Sequence, residues 1–445
     1  MSTSMRYLRL CLHTPDHTKT AIGFISCYGD ILRVSFDENY ITNPYRPLLS
    51  LAYRGLNEQE TQAILRSERD MRVARSDGKL PVYFQNLLPE GHNRERLAKE
   101  RQCGTDDEFE LLAAAGHDLM GAVEVEPVPP QESVPDMVRL WHTTIGKDVV
   151  EPGFVEYPVE DAAAIPGVVT KFSAVQDGRR YVIKRHGAPG SFILKLPTTT
   201  HPDLVENEAT GFALLNALNI TCAEAAIINR EDAELPDHIP FPHLLAVKRF
   251  DRGQHGTRIH MEEFAQVLQF APKHKYGNDL IQDYSSILNV LENLSAQPAK
   301  DTVEFVKRFI AFILMGNTDA HLKNWAVIYP DGRTPQLSPA YDPVCVSSFF
   351  DQVPKDHYGL NRAIDAKLSV FDWTDFEQLL IKARVTRKDR LMKVGKDTVK
   401  QAKKVWPAIL NTAPEAVRRC VLERIQGGVC IAKDVKQREE ISSFL

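Results

Sequence analysis

The chain carries the stretch Gly316-Asn317-Thr318-Asp319-Ala320-His321-Leu322-Lys323-Asn324, and Asp342 follows eighteen residues after its end. In kinase-type centres one Asp orients the attacking hydroxyl, an Asn soon after it binds Mg²⁺, and a later Asp binds metal that bridges the nucleotide phosphates. Asp319, Asn324 and Asp342 stand in that order and indicate a phosphoryl-transfer site. The alternative is a chance spacing in which Asp319 only caps a helix or turn, because short motifs often match falsely.

The segment between Asn324 and Asp342 has the pattern of a hairpin. Trp325 to Tyr329 is rich in β-forming residues, Pro330-Asp331-Gly332 signals a turn, and Gln336 to Tyr341 can return as a second strand. Such a hairpin would bring Asp342 back beside Asn324, where carboxylate and amide oxygens suit a hard cation. The pattern therefore predicts a Mg²⁺ site formed by these two residues.

Composition limits the class of protein. With 445 residues the chain is expected to form two or three folding units, and its net charge of -5 argues against a dedicated nucleic-acid binder. No apolar run reaches the roughly 18 to 20 residues of a membrane span, and the first residues lack the pattern of a secretory signal. The seven cysteines are scattered without C-x-x-C spacing, which favours reduced thiols and makes a zinc site unfavourable. We therefore expect a cytoplasmic protein without membrane contacts.

Strand patterns precede helix patterns along the chain. Arg6 to Phe36 alternates apolar and polar positions around a Tyr28-Gly29-Asp30 turn, and a second hairpin is expected around Gln176-Asp177-Gly178. Helical periodicity dominates after residue 262. This order favours an α+β chain with a two-lobed, protein-kinase-like fold, an antiparallel sheet in the first lobe and helices in the second. The predicted units are an N-terminal subdomain at residues 1–125, a linker at 126–158, a small lobe at 159–250, and a helical large lobe with the catalytic loop at 251–445.

Lys195 lies within the apolar strand Phe192-Ile193-Leu194-Lys195-Leu196. A lysine in such a strand is costly to bury unless its ammonium meets an anion, and in kinases a strand lysine binds the phosphates and pairs with a helix glutamate. Glu208 on the following helix is the better candidate for that partner, and Glu206 is the second. The alternative is an edge-strand lysine that points to water.

Two further segments contribute candidate residues. Adenine is expected near Val247 to Phe250, where backbone groups of a strand that leads into the large lobe can bind its edge. Within the loop, His321 is expected to form structural hydrogen bonds, whereas Lys323 could neutralise charge on the transferred phosphoryl group. Lys323 is therefore predicted to be catalytic.

Taken together, these motifs resemble the HipA toxin kinases, which are bacterial serine/threonine protein kinases of type II toxin-antitoxin modules. The resemblance rests on the loop and Tyr341-Asp342, and on further motifs: Ile193-Leu194-Lys195-Leu196-Pro197, Asn207-Glu208, Val247-Lys248-Arg249-Phe250-Asp251-Arg252, Phe84-Gln85-Asn86-Leu87-Leu88-Pro89-Glu90-Gly91, and Leu111-Leu112-Ala113-Ala114-Ala115-Gly116. It covers nearly the whole chain. It implies ATP and Mg²⁺ as ligands, with the base at Asp319, metal ligands at Asn324 and Asp342, and nucleotide-binding residues at Lys195, Glu208, Lys248, Phe250 and Asp251.

The resemblance also implies partners and one departure. A HipB-like helix-turn-helix antitoxin would make most DNA contacts, and an aminoacyl-tRNA synthetase would be the phosphorylated protein. In the phosphate-binding loop, Ala164 stands where a serine is commonly autophosphorylated, and Val169 where glutamine is usual. The resemblance therefore does not extend to autoinhibition by phosphorylation at Ala164. Ser173 and Thr170 are alternative sites, although the hairpin pattern favours a structural role for both. The alternatives are a kinase for a small molecule or lipid, and a catalytically silent protein that only binds an antitoxin or DNA complex.

Overall fold

The structure is a computed structural model. It describes residues 4–129, 132–142, 147–149, 153–159, 171–183, 190–198, 201, 203–235, 241–253, 257–350 and 361–433. Its strands, in chain order, are β1 Arg6–His13, β2 Lys19–Tyr28, β3 Ile31–Phe36, β4 Ala74–Arg75, β5 Val123–Pro127, β6 Leu140–His142, β7 Lys147–Val149, β8 Lys171–Asp177, β9 Arg180–Val182, β10 Phe192–Lys195, β11 Ala225–Asn229, β12 Ala233–Glu234, β13 His243–Lys248, β14 His260–Glu263, β15 Ala326–Tyr329 and β16 Gln336–Leu337.

Helices follow the first sheet and dominate the second half of the chain. In chain order they are α1 Glu38–Thr42, α2 Glu58–Leu65, α3 Val82–Gln85, α4 Gly91–Glu100, α5 Glu108–Ala115, α6 Asp136–Arg139, α7 Leu204–Ala217, α8 Phe264–Val267, α9 Leu280–Leu294, α10 Pro298–Met315, α11 Arg362–Val370, α12 Trp373–Lys382, α13 Lys388–Leu410 and α14 Glu415–Glu423.

The N-terminal sheet has the strand order β4-β3-β2-β1-β5. Its first hairpin is the predicted one, because β2 pairs antiparallel with β3 and Gly29 takes the positive φ of 57° that the turn requires. Leu8, Leu10 and Leu12 alternate along β1 and are fully buried beneath the helices α1 to α5. Residues 82–88 form the short buried helix α3 followed by buried loop residues.

The second sheet has the order β11-β13-β10-β8-β9-β12, and the strand that ends in Lys195 lies near its middle. The Asp-Gly hairpin is present, since β8 pairs antiparallel with β9 and Gly178 has a φ of 59°. Helix α7 packs on this sheet: Val205 and Phe212 form one buried cluster with Leu245 and Val247. The strand lysine and the helix glutamate are thereby placed on facing elements.

The large lobe is built around α10. Phe305, Phe309 and Phe312 on this helix contact Trp325 or the surrounding helices, and Trp406 of α13 is fully buried in the same core. The lobe is not purely helical, because β14, β15 and β16 form a small sheet. The predicted hairpin after Asn324 is present as β15 and β16, with its second strand shorter than expected. The chain therefore has the predicted two-lobed α+β architecture with an additional N-terminal subdomain.

In the described part of the chain, no helix combines the length and apolar character needed to cross a membrane.

Candidate functional site

The catalytic loop begins where α10 ends. Gly316 takes a left-handed conformation with φ of 71°, and Asn317 N–H donates to the Phe312 carbonyl at 3.0 Å, as at many helix C-termini. A Cβ at position 316 would lie 2.6 Å from Ser347 Oγ, so the turn is also tightly packed. The loop therefore leaves a largely buried helix in a fixed direction.

Asp319 and Asn324 are held together by one carbonyl. The backbone oxygen of Asp319 accepts hydrogen bonds from His321 N–H and from Asn324 Nδ2, both at 2.7 Å. Because the amide nitrogen of Asn324 is used in this way, its Oδ1 is the atom that suits a cation. The Asn324 side chain is therefore fixed against the backbone of Asp319.

The Asp319 carboxylate lies at the surface of the loop, with 39% of its side chain exposed. Tyr276 OH donates to its Oδ1 at 2.6 Å, and His321 Nε2 lies 3.7 Å from the same oxygen. Burial lowers the pKa of His321 to about 4, so this imidazole is neutral near pH 7. Tyr276 orients a carboxylate that remains accessible to a hydroxyl-bearing substrate.

Asp342 is brought to the loop by the β15–β16 hairpin. Its φ is 53°, a conformation that Asp tolerates better than most residues, and its carbonyl accepts from Asn317 Nδ2 at 3.3 Å. Its carboxylate forms an ion pair with Lys195 Nζ and lies 3.6 Å from Lys171 Nζ. Burial alone would raise the pKa of Asp342, but the two lysines outweigh it and hold the pKa below its usual range.

Asn324 Oδ1 and the Asp342 carboxylate are oxygen donors of the kind that Mg²⁺ prefers. Mg²⁺ is usually bound through one or two carboxylates together with substrate phosphates and water. Among the described residues, no group of three or more His, Cys, Asp or Glu side chains stands in a metal-binding arrangement.

Lys195 and Glu208 form the expected buried pair. Lys195 Nζ lies 2.5 Å from Glu208 Oε1, and the two residues are 6% and 3% exposed. Burial would lower the pKa of Lys195, but Asp342 and Glu208 raise it, so the ammonium stays charged. Burial, with the nearby Asp342 charge, raises the pKa of Glu208 against the opposing effect of Lys195. The edge-strand alternative does not describe this lysine, because its side chain is buried between two carboxylates.

Helix α7 is joined directly to the Asp342 segment. Asn207 Oδ1 accepts from Cys345 N–H at 2.8 Å, and Asn207 Nδ2 donates to the Cys345 carbonyl at 3.2 Å. The adjacent helix face has Gly211, where a Cβ would lie 1.6 Å from the Pro343 oxygen. This contact sets the distance between Glu208 and Asp342.

Of the predicted nucleotide-binding residues of the hinge, Lys248 points to solvent and Phe250 packs near the Asp342 segment. The Lys248 side chain is exposed and lies 3.0 Å from Glu224 Oε1, while the Phe250 ring lies 5.5 Å from the Tyr341 ring, one residue before Asp342. The backbone amides of Lys248 and Arg249 already donate to Glu224 and Ser191. Adenine would therefore have to be bound by other backbone groups of this segment.

Asp251 is buried in a charge cluster away from the loop. Its carboxylate accepts from Arg249 and Arg252 at 2.8–2.9 Å and from Gly121 N–H at 2.8 Å. Burial would raise its pKa, but the two arginines lower it to about 2. Asp118 of the N-terminal subdomain joins the same cluster, since its Oδ1 accepts from both arginines. This placement favours a structural role for Asp251 over the nucleotide contact predicted for it.

Lys323 points away from Asp319 and is buried. Its Nζ donates to the Asn86 carbonyl at 2.9 Å and lies 3.1 Å from Glu263 Oε2 and 3.2 Å from Glu90 Oε1. A lysine held in this way supports the loop from behind. The geometry thus favours positioning over the charge neutralisation predicted for Lys323.

Two site residues escaped prediction. Sequence patterns predicted no role for Lys171, although its Nζ lies 3.6 Å from Asp342 Oδ2. Tyr276 lies in a segment without a recognisable motif, 43 residues before Asp319. Ala164, Val169 and Thr170 lie outside the described residues.

Comparisons with known proteins identify the family of this chain. A family model for the HipA-like C-terminal domain matches residues 163–406, and one for the HipA N-terminal domain matches residues 17–126. The protein named "Putative kinase Y4dM" of Sinorhizobium fredii is 32% identical over 86% of this chain and 88% of its own length. The serine/threonine-protein kinase toxin HipA of Shewanella oneidensis is 24% identical over 62% of this chain and 65% of its own.

A solved structure has the same fold. The complex of Shewanella oneidensis HipA, HipB and operator DNA contains a chain that superposes with a TM-score of 0.63 at 19% identity, covering 95% of each chain. Matched domain models over most of the chain, together with this fold, show that the protein belongs to the HipA family of kinase toxins.

Proposed function

We propose that this protein is a Mg-ATP-dependent serine/threonine protein kinase that acts as a growth-arresting toxin. The observation that carries the proposal is the convergence of Lys195, Glu208 and Asp342 beside a loop that holds Asp319 and Asn324 together. Each residue type performs a known task in phosphoryl transfer.

The residues divide the reaction between them. Lys195, fixed by two carboxylates, binds phosphate oxygens, and Lys171 adds a second positive charge on the same side. Asn324 and Asp342 supply oxygen donors for Mg²⁺, which neutralises charge on the phosphates when it is bound. Asp319 accepts the proton of the attacking substrate hydroxyl. The hydroxyl oxygen forms a bond to the γ-phosphorus while the bond between that phosphorus and the ADP oxygen breaks.

A cleft on the other side of the loop supports a protein substrate. It has a volume of about 200 Å³ and lies between the 276–284 segment, the loop and α11. Tyr276, which donates to Asp319, forms part of its wall, and Leu280, Ile364 and Leu368 make other parts apolar. A side chain that flanks the phosphorylated serine or threonine fits this position. The lining residues do not include Lys195 or Asp342, so the cleft is separate from the phosphate side of the site.

The cellular role rests on the family and on the solved relative. The Shewanella oneidensis HipA chain is seen with HipB and operator DNA, which supports a HipB-like antitoxin as partner and DNA contact through that partner. A net charge of -5 is consistent with indirect rather than direct DNA binding. We further propose a cytoplasmic site of action and an aminoacyl-tRNA synthetase or another translation protein as substrate.

Induced expression in bacteria tests this function. Growth should stop on induction of the wild-type chain but continue with Asp319→Asn at equal protein level. A phosphoproteome recorded soon after induction should show new phosphoserine or phosphothreonine on a translation protein only with the wild type. Equal growth and equal phosphoproteomes for the two chains would refute the proposal. New phosphate confined to small molecules would support a small-molecule kinase in its place.

A further inference from the structure

The Phe84–Gly91 segment of the N-terminal subdomain reaches the back of the catalytic loop. Asn86 is fully buried, and both its carbonyl and its Oδ1 accept from Lys323 Nζ, at 2.9 and 3.3 Å. Its Nδ2 donates to the Phe270 carbonyl at 2.9 Å. One side chain from the first hundred residues therefore bonds two parts of the large lobe.

Glu90 contacts two lysines that flank the loop. Its Oε1 lies 3.2 Å from Lys323 Nζ and its Oε2 lies 3.3 Å from Lys275 Nζ. Burial would raise the pKa of Glu90, but the two lysines lower it to about 2, so it is ionised near pH 7. The backbone carbonyl of Lys275 also accepts from Leu322 N–H at 2.9 Å. Glu90 thus holds both the loop and the segment to which the loop is bonded.

Lys323 connects these contacts to the candidate catalytic residues Asn324 and Asp342. It directly precedes Asn324, and its own carbonyl accepts from Tyr341 OH at 2.9 Å, next to Asp342. A buried lysine that loses a partner must move or be hydrated, because an uncompensated buried charge is costly. Movement of Lys323 would displace Asn324 and, through the Asp319 carbonyl, the base.

We propose that Asn86 and Glu90 are positioning residues for phosphoryl transfer, so that the N-terminal subdomain is required to hold the catalytic loop in its active geometry. The inference rests on the proposed function for its effect on rate. It goes beyond that function because it assigns a catalytic requirement to residues more than 200 positions from the loop.

Kinetics of Glu90→Gln and Asn86→Ala test the proposal. Both should lower kcat for transfer of label from γ-labelled Mg-ATP to lysate proteins by on the order of 10²-fold, the effect of about 1 Å of misplacement. KM for ATP should change less than about twofold, since neither residue contacts Lys195 or Lys171. Glu108→Gln is the matched control, because this buried carboxylate bonds Leu80 N–H and lies near Lys79 and Arg94 of its own subdomain. Unchanged kcat in both variants, or an equal loss in the control, would overturn the proposal.

Hydrogen exchange gives a readout that does not depend on activity. Amides of residues 316–324 should exchange faster in Glu90→Gln than in the wild type, while Glu108→Gln leaves them unchanged at equal thermal stability. Equal exchange in all three proteins would overturn the positioning role even if the kinase is active. If the wild type transfers no phosphate, the proposed function fails, and the exchange result still decides whether the subdomain holds the loop.

Discussion

Replacing Gly211 with alanine should disable the site by a steric contact rather than by removing a functional group. On helix α7 this change adds one methyl group, which on helix propensity alone would stabilise the protein by about 1 kcal/mol. The new Cβ would lie 1.6 Å from the Pro343 oxygen, and ordinary contact begins near 3.4 Å. The helix and the Asp342 segment must therefore separate by the difference, 1.8 Å.

The atom in the way is a backbone carbonyl, which cannot rotate aside like the end of a side chain. Overpacking of this kind costs about 1–3 kcal/mol, which offsets or exceeds the gain in helix propensity. Because Glu208 is on the helix and Asp342 precedes Pro343, the separation also pulls apart the two carboxylates around Lys195. A displacement above 1 Å should reduce the rate by about 10²-fold or more.

Label transfer from γ-labelled Mg-ATP and urea unfolding measure the two effects. Gly395→Ala on α13 is the control, because its Cβ would meet ring carbons of Trp373 and Phe376 at 3.1 and 3.2 Å, which need to yield by only a few tenths of an ångström. That variant should keep wild-type activity. If Gly211→Ala were as active as the control and more stable than the wild type, the packing argument for the site would be refuted.

Three further substitutions probe separate parts of the account. Lys195→Met should lower the free energy of unfolding in urea by about 3 kcal/mol, because it leaves buried carboxylates without their cation. Adding Glu208→Gln to this variant should recover part of the loss. If the losses of the two single variants simply added in the double variant, the pairing would be contradicted. Burial lowers the pKa of His260 to about 4, against about 6.5 in the unfolded chain, so its contribution is present at pH 7 and is lost as the pH falls. His260→Gln should therefore remove about 2 kcal/mol of the stability change between pH 7 and pH 5, and an unaltered pH profile would refute the assignment. Lys248→Ala should change the free energy of unfolding by less than about 0.5 kcal/mol and leave KM for ATP unchanged, since the Lys248 side chain points to solvent. A raised KM for ATP would show that Lys248 contributes to nucleotide binding after all.

Local sequence patterns were sufficient to predict most of the fold and part of the candidate site. The Asp-Gly turn and the lysine within β10 are features that a short window of sequence contains, and the structure has both where they were predicted. The pairing of Lys195 with Glu208 followed from the order of strand and helix. Such features depend on neighbours within a few tens of residues.

The remaining features depend on contacts between distant segments. Lys323 looked catalytic because of its spacing from Asp319, but its partner Asn86 lies 237 residues away, and a pattern does not show which buried carboxylates will surround an ammonium. Asp251 was assigned to a nucleotide-binding hinge because the family resemblance includes Val247 to Arg252, but in the structure Asp118 and two arginines surround it. Long-range polar packing therefore limited the prediction of roles more than the prediction of elements.

The initial rate of phosphate transfer by purified protein tests the central claim most directly. Wild type and Asp319→Asn are incubated with γ-labelled Mg-ATP and bacterial lysate proteins, and protein-bound label is counted over time. Loss of the base should lower the rate by on the order of 10²- to 10⁴-fold while Mg-ATP still raises the Tm of both proteins. Equal rates for the two proteins would contradict the assignment of this loop as the catalytic centre.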